Sequence, residues 1–173
     1  MKNLVLVGFM GSGKTTIGRM AAAELGLRFV DTDHSIEERE GMSVAQLFEK
    51  KGEEVFRDIE AGVMRELAAQ DGLVIATGGG VVLRPANIDA LRRTGVLVHL
   101  RVDAATAHAR TRGHPHRPLL QGDDPEGKIR ALLKARQPMY DAIPNDVDTA
   151  GRTMHEILRS VLRIYRGSGT RSQ

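Results

Sequence analysis

Gly8-Phe9-Met10-Gly11-Ser12-Gly13-Lys14-Thr15 reads G-x-x-x-x-G-K-T and directly follows the apolar run Leu4-Val5-Leu6-Val7. A helical pattern over residues 16–25 comes straight after it. A strand, a glycine loop and a helix in that order make this a phosphate-binding P-loop. The glycines let successive backbone N–H groups turn inward around phosphate oxygens. The new helix aims its positive dipole end at the same anion. On this reading Gly11, Ser12, Gly13, Lys14, Thr15 and Thr16 face the nucleotide, Lys14 reaches the β- and γ-phosphates, and Thr15 ligates Mg²⁺. An ordinary glycine-rich turn between strand and helix accounts for less of the spacing.

Around that loop the chain is of a size and composition for one soluble domain. Its 173 residues suffice for a full hydrophobic core. The formal net charge is +3, and the arginines are spread among acids. Nucleic-acid binding needs a concentrated basic face, and an aromatic stacking platform for single strands needs more than two Tyr and no Trp. Small anionic substrates suit this pattern better. The absence of cysteine excludes disulfides and thiolate metal sites. No apolar run approaches the ~18 residues of a membrane span, and the first strand begins too early for a signal peptide. The expectation is a cytoplasmic protein that binds neither membrane nor nucleic acid.

Strand-like runs at residues 4–9, 28–33, 73–77, 96–102 and 146–149 alternate with helical patterns. That alternation predicts a parallel sheet covered on both faces. Val55, Phe56, Ile59, Val63, Met64 and Leu67 recur at helical spacing and form one apolar face. Ser43-x-x-Gln46 and Thr153-x-x-Glu156 read as capping boxes. One domain is expected over 1–166, with a frayed tail at 167–173. Two insertions interrupt the alternation: helices over about 34–72, and a period-free stretch at about 112–125 with glycines and prolines. A long loop of the second kind is commonly a lid, and a lid plus a helical insertion suits a phosphotransferase closing over two substrates.

The remaining motifs admit two readings each. Asp31-Thr32-Asp33 ends the second strand, where alternation puts both carboxylates on one side of the extended chain. One carboxylate beside Thr15 suits a metal-bound water, and the other suits the proton of an attacking hydroxyl. The alternative is a cap for the helix beginning near His34. Arg57 and Glu60 share a helix face, as a substrate-carboxylate fork with its holder or as a surface ion pair of little worth. Gly78-Gly79-Gly80 lets a ligand approach backbone at a strand end, or is a plain loop. Arg117, which follows His114 and His116, is a lid cation for the moving phosphoryl or a solvated one. Arg136 is a second arm of the fork, or a helix C-terminal cation. Spacing alone favours the plainer reading for Arg57 and Arg117.

The ordered set Gly8–Thr16, Asp31-Thr32-Asp33, Phe56-Arg57-x-x-Glu60, Gly78-Gly79-Gly80, Arg117-Pro118-Leu119-Leu120 and Arg136-x-Pro-x-Tyr140 resembles the shikimate kinase family from residue 4 to about 162. The resemblance implies a P-loop kinase of the nucleoside monophosphate kinase type, with a five-stranded parallel sheet. It implies transfer of the γ-phosphoryl of ATP to the 3-hydroxyl of shikimate, with one Mg²⁺, in a monomer. It assigns Asp33 to the reacting hydroxyl, and Arg57 and Arg136 to the shikimate carboxylate with Glu60 holding Arg57. Gly79 and Gly80 would line the ring, and Lys14 and Arg117 would stabilise the moving phosphoryl. Thr15 would hold Mg²⁺, with Asp31 reaching it through water, and Arg110 and Arg152 would flank the adenine. Thr153 stands near the point where the family often has a proline after the last strand. The competing readings are a kinase for gluconate or a nucleoside monophosphate, and a non-catalytic ATP-binding regulator.

Overall fold

The apolar run before the P-loop forms the central strand of the molecule. In the computed structural model, which describes residues 1–112 and 122–169, β1 (Asn3–Val7) is buried along its whole length. β3 (Leu73–Ala76) and β4 (Gly95–Arg101) flank it, and β2 (Arg28–Asp31) and β5 (Asp146–Asp148) form the edges. All pairings are parallel, in the order β2-β3-β1-β4-β5.

Alternation along β1 serves two cores. Leu4 and Leu6 point to one face, where α1 (Lys14–Leu25) and α8 (Met154–Gly167) pack with Ile17, Ala21, Ile157 and Val161. Val5 and Val7 point to the other, under α2 (Thr32–Glu40), α3 (Val44–Lys51), α4 (Glu53–Ala68), α5 (Pro85–Thr94) and α7 (Pro125–Asp141). α6 (Ala104–Thr111) packs beside α7 and contributes Ala107 to that core. Both faces of the sheet are thus covered, as period-2 strands alternating with helices demand.

Local signals hold where they rest on hydrogen-bond chemistry. Both capping boxes form, Ser43 with Gln46 at α3 and Thr153 with Glu156 at α8. Pro85 opens α5. The 34–72 insertion is the α2–α4 run, and on α4 the face built by Phe56, Val63, Met64 and Leu67 is buried while Val55 is exposed.

Strand ends shift by one or two residues from the expected runs, and one of these shifts bears on the site. β2 stops at Asp31, and Asp33 lies in the first turn of α2 instead of at a strand end. The Asp31 carboxylate accepts from the N–H groups of Asp33 and His34. A side chain that satisfies two orphan amides starts a helix sooner than the extended pattern suggests. Both aspartates still flank the strand end, but a helix turn, and not strand alternation, sets their relation.

Candidate active site

Four chain segments meet at the carboxyl edge of the sheet. The P-loop leaves β1, the Asp31–Asp33 turn leaves β2, the glycine run leaves β3, and α7 crosses over them. The first three line a cavity of about 320 Å³, with Lys14, Thr15, Asp31, Asp33, Gly78 and Gly79 among its walls. Both ends of the expected reaction therefore open into one space, at the position where parallel sheets take their ligands.

The nucleotide end is built from backbone. Gly11 and Gly13 have φ of 77° and 89°, a left-handed conformation that L side chains adopt only at a cost. Those turns curl the loop around the Lys14 ammonium, which donates to Gly8 O at 2.7 Å and Phe9 O at 2.9 Å. Ser12 is fully buried beneath the loop, and a Cβ at Gly8 would meet its Oγ at 2.7 Å. Thr15 Oγ1 donates to Asp31 Oδ2 at 2.8 Å. The other Asp31 oxygen caps α2, so one carboxylate ties the P-loop helix to the acceptor-side helix.

Thr15 and Asp31 together present hard oxygen donors at a phosphate-binding helix N-terminus. That set fits Mg²⁺, which keeps several waters and takes few protein ligands besides phosphate oxygens. Among the described residues no cluster of three or more His, Cys, Asp or Glu forms an all-protein metal cage.

The acceptor end is built from buried charge. Arg57, Glu60 and Arg136 are 6%, 1% and 5% exposed. Arg57 Nη1 donates to Glu60 Oε2 at 2.9 Å, and Nη2 reaches Glu53 at 3.3 Å. The Arg57 guanidinium also lies over the Phe56 and Phe48 rings, at 5.1 and 5.8 Å from their centroids. This is not the solvated surface pair that spacing favoured. Burial raises the Glu60 pKa, against the pull of Arg57. Arg57 Nε and Glu60 Oε1 are buried without a hydrogen-bond partner among the described residues. Such groups carry a free-energy cost that structures seldom leave uncompensated.

Arg136 lies inside α7, which continues to Asp141, so it does not serve the helix terminus. Its guanidinium sits 5.9 Å from the Phe9 ring centroid, at the base of the P-loop. The glycine run is needed for room on this side. A Cβ at Gly78 would lie 2.7 Å from Asp33 Oδ1, and one at Gly80 would collide with the Arg57 guanidinium. Gly78 N–H donates to Thr32 Oγ1 at 3.0 Å. Thr32, given no role of its own from sequence, is fully buried and locks the β2 turn to the β3 loop. Its place between two acids was the one available signal.

The remaining expected residues divide. Arg110 donates to Gly11 O at 3.0 Å and to Thr149 Oγ1 at 3.4 Å, joining the P-loop to the end of β5. Arg152 instead donates to Asp148 O, Glu156 O and Ser160 Oγ, and it lines a separate groove with Glu24, Arg159 and Arg163. The structure does not bring it to the P-loop cavity. Thr153 caps α8. Arg117, His114, His116 and the Pro118–Leu120 run lie outside the described residues.

The sequence model of the shikimate kinase family matches residues 10–166. A shikimate kinase of Caldanaerobacter subterraneus subsp. tengcongensis is 44% identical over 95% of this chain and 96% of its own length. One from Symbiobacterium thermophilum is 46% identical over 98% and 99%. Among solved structures, shikimate kinase from Acinetobacter baumannii in complex with shikimate superposes with a TM-score of 0.93 at 37% identity, covering 99% of this chain and 96% of that one. A gluconokinase from Sinorhizobium meliloti shares the fold at a TM-score of 0.64 and 19% identity, over 99% and 98% of the two chains.

Proposed function

The chain belongs to the shikimate kinase family, and we propose that the cavity described above performs the family's reaction with the residues named here. The enzyme phosphorylates shikimate with ATP, a step of aromatic amino acid biosynthesis. The observation that carries the residue assignment is a single cavity that joins Lys14 and Thr15 to Asp33, Gly78 and Gly79.

The P-loop amides and Lys14 hold the β- and γ-phosphates, with phosphate oxygens replacing the loop carbonyls around the ammonium. Thr15, with Asp31 through water, would hold Mg²⁺, which would supply positive charge against the phosphate oxygens of ATP. Arg57 and Arg136 grip the shikimate carboxylate, since a buried guanidinium fork is the strongest neutral-pH partner for one. Gly79 and Gly80 lie along the ring. The 3-hydroxyl then faces Asp33, which orients it and takes its proton as the oxygen–phosphorus bond forms and ADP departs. In a loose transition state, orientation is the larger part of that role. Lys14 and Arg117 offset the charge of the moving phosphoryl, and Arg110 borders the adenine. Every residue assigned here comes from one chain, which supports a monomer, and the expected compartment is the cytoplasm.

The test is ADP release from ATP and Mg²⁺, with and without shikimate. Strong stimulation by shikimate is expected. Turnover with gluconate or AMP and none with shikimate would overturn the acceptor assignment. Binding of both ligands without turnover would instead favour a regulator.

A further inference from the structure

Behind the acceptor site stands a phenol that the reaction scheme does not use. Tyr140 is 1% exposed and lies one helical turn beyond Arg136 on α7. Its hydroxyl donates to Gly79 O at 2.7 Å, tying the helix that carries Arg136 to the β3 loop. A Cβ at Gly79 would lie 3.7 Å from Arg136 Nη1, so the guanidinium and the glycine peptides are neighbours. One hydrogen bond thus fixes the segment bearing the carboxylate-gripping arginine against the peptide that precedes Gly80.

The ring is itself fixed. His99, on β4 and 5% exposed, stacks on Tyr140 with centroids 4.8 Å apart and planes 2° from parallel. His99 Nδ1 is 3.0 Å from Asp146 Oδ1 on β5, and Asp146 also pairs with Arg101 at 3.3 Å. Burial pushes the phenol up to about 12, so it stays a neutral donor throughout the physiological range. A buried Tyr needs one polar partner. This one takes its partner from the glycine run on the acceptor side.

We propose that Tyr140 is a positioning residue for acceptor binding, setting Arg136 and the Gly79–Gly80 peptides in mutual register, with His99 as the plate that holds its ring. The proposal rests on the acceptor assignment above. A groove whose side-chain cations and backbone donors must meet one rigid polyhydroxylated acid gains affinity when both are set before binding.

Tyr140→Phe keeps the ring and the stack and removes the bonding oxygen. Calorimetric titration of the full chain with shikimate, and separately with a non-hydrolysable ATP analogue, reads the effect. Shikimate affinity is expected to fall about tenfold, because the Gly79 carbonyl loses its donor and the glycine peptides are released from the helix that carries Arg136. Analogue affinity stays within about twofold of wild type, as no lost bond touches the P-loop. In turnover the change appears in KM for shikimate more than in kcat. Unchanged shikimate affinity, or equal losses for both ligands, would overturn the proposal and leave Tyr140 as a packing residue. If that variant does not fold, His99→Leu tests the same link by loosening the ring while sparing the phenol. A selective loss for shikimate supports the proposal, and no selectivity overturns it. Wild-type protein that binds no shikimate would sink the acceptor assignment itself, an outcome distinct from either.

Discussion

The two ends of the cavity use glycine for different physical reasons. At the nucleotide end Gly11 and Gly13 supply positive φ, so that backbone amides can curl around an anion. At the acceptor end Gly80 has φ of −90°, which any residue adopts, and its missing side chain leaves space that the Arg57 guanidinium fills. In the proposed assignment, one end takes phosphate with main chain, and every sequence that makes the turn makes the site. The other takes a particular acid with buried side chains from α4 and α7 and the backbone of the β3 loop. Generality at one end and selectivity at the other follow from that division.

Asp33 stands on the seam between the ends, and its removal is the strongest way to separate them. Asp33→Ala should lower kcat by about 10²–10⁴-fold, the usual worth of a positioned base. ATP affinity, measured by calorimetry, should hold. A comparable loss of ATP affinity would show that the two ends are not independent.

The glycine contrast is sharpened by a matched pair of alanines. Gly80→Ala forces the guanidinium aside at a strain of about 1–3 kcal/mol. It should raise KM for shikimate about tenfold or more, with KM for ATP little changed. Gly13→Ala places a side chain at φ 89°, a cost of about 1–2 kcal/mol, and should weaken ATP instead. Steady-state kinetics with each substrate varied in turn checks both. Losses that do not sort by substrate would break the comparison.

The smallest effect concerns the ring stack behind the acceptor end. Burial lowers the His99 pKa below its ordinary 6.5, outweighing Asp146 and Asp141, which pull it up, and aided by Arg101. The folded state therefore favours the neutral imidazole. That contribution is complete above pH 6.5, and it is lost as pH falls through 6.5 and then through the lowered folded value. Tm should drop over that window, and His99→Leu should flatten the drop. An equal slope in the variant would assign the loss to other groups.

Most of the fold could be read from the chain because its signals are local. Strand positions, the P-loop, both capping boxes and the α2–α4 insertion each depend on residues within a few places of one another. The end of β2 was misplaced because Asp31 caps a helix with the same carboxylate that alternation would leave pointing along a strand. At the site, Lys14, Thr15 and an aspartate beside them were legible from spacing, though not that Asp31 is the one bonded to Thr15. Arg57 and Arg136 were not, because spacing cannot tell a solvated arginine from a buried one. Family resemblance supplied what periodicity could not. Tyr140 was visible only as part of a motif, and a lone His99 on a strand carries no signal of its ring partner.

By itself the sequence determined the backbone chemistry: where amides turn inward, where helices begin, and which strand faces are apolar. Those outcomes are settled by φ/ψ preferences and hydrogen bonds between near neighbours. Only the tertiary structure decided which charges lose their water. Arg57 and Glu60, Gly79 and Gly80, and Arg136 and Tyr140 come from three separated stretches, and the strand order β2-β3-β1 together with the crossing of α7 brings them together. Burial then turns an ion pair worth little in solvent into a preset grip, because a charge removed from water must be met by a partner placed to receive it.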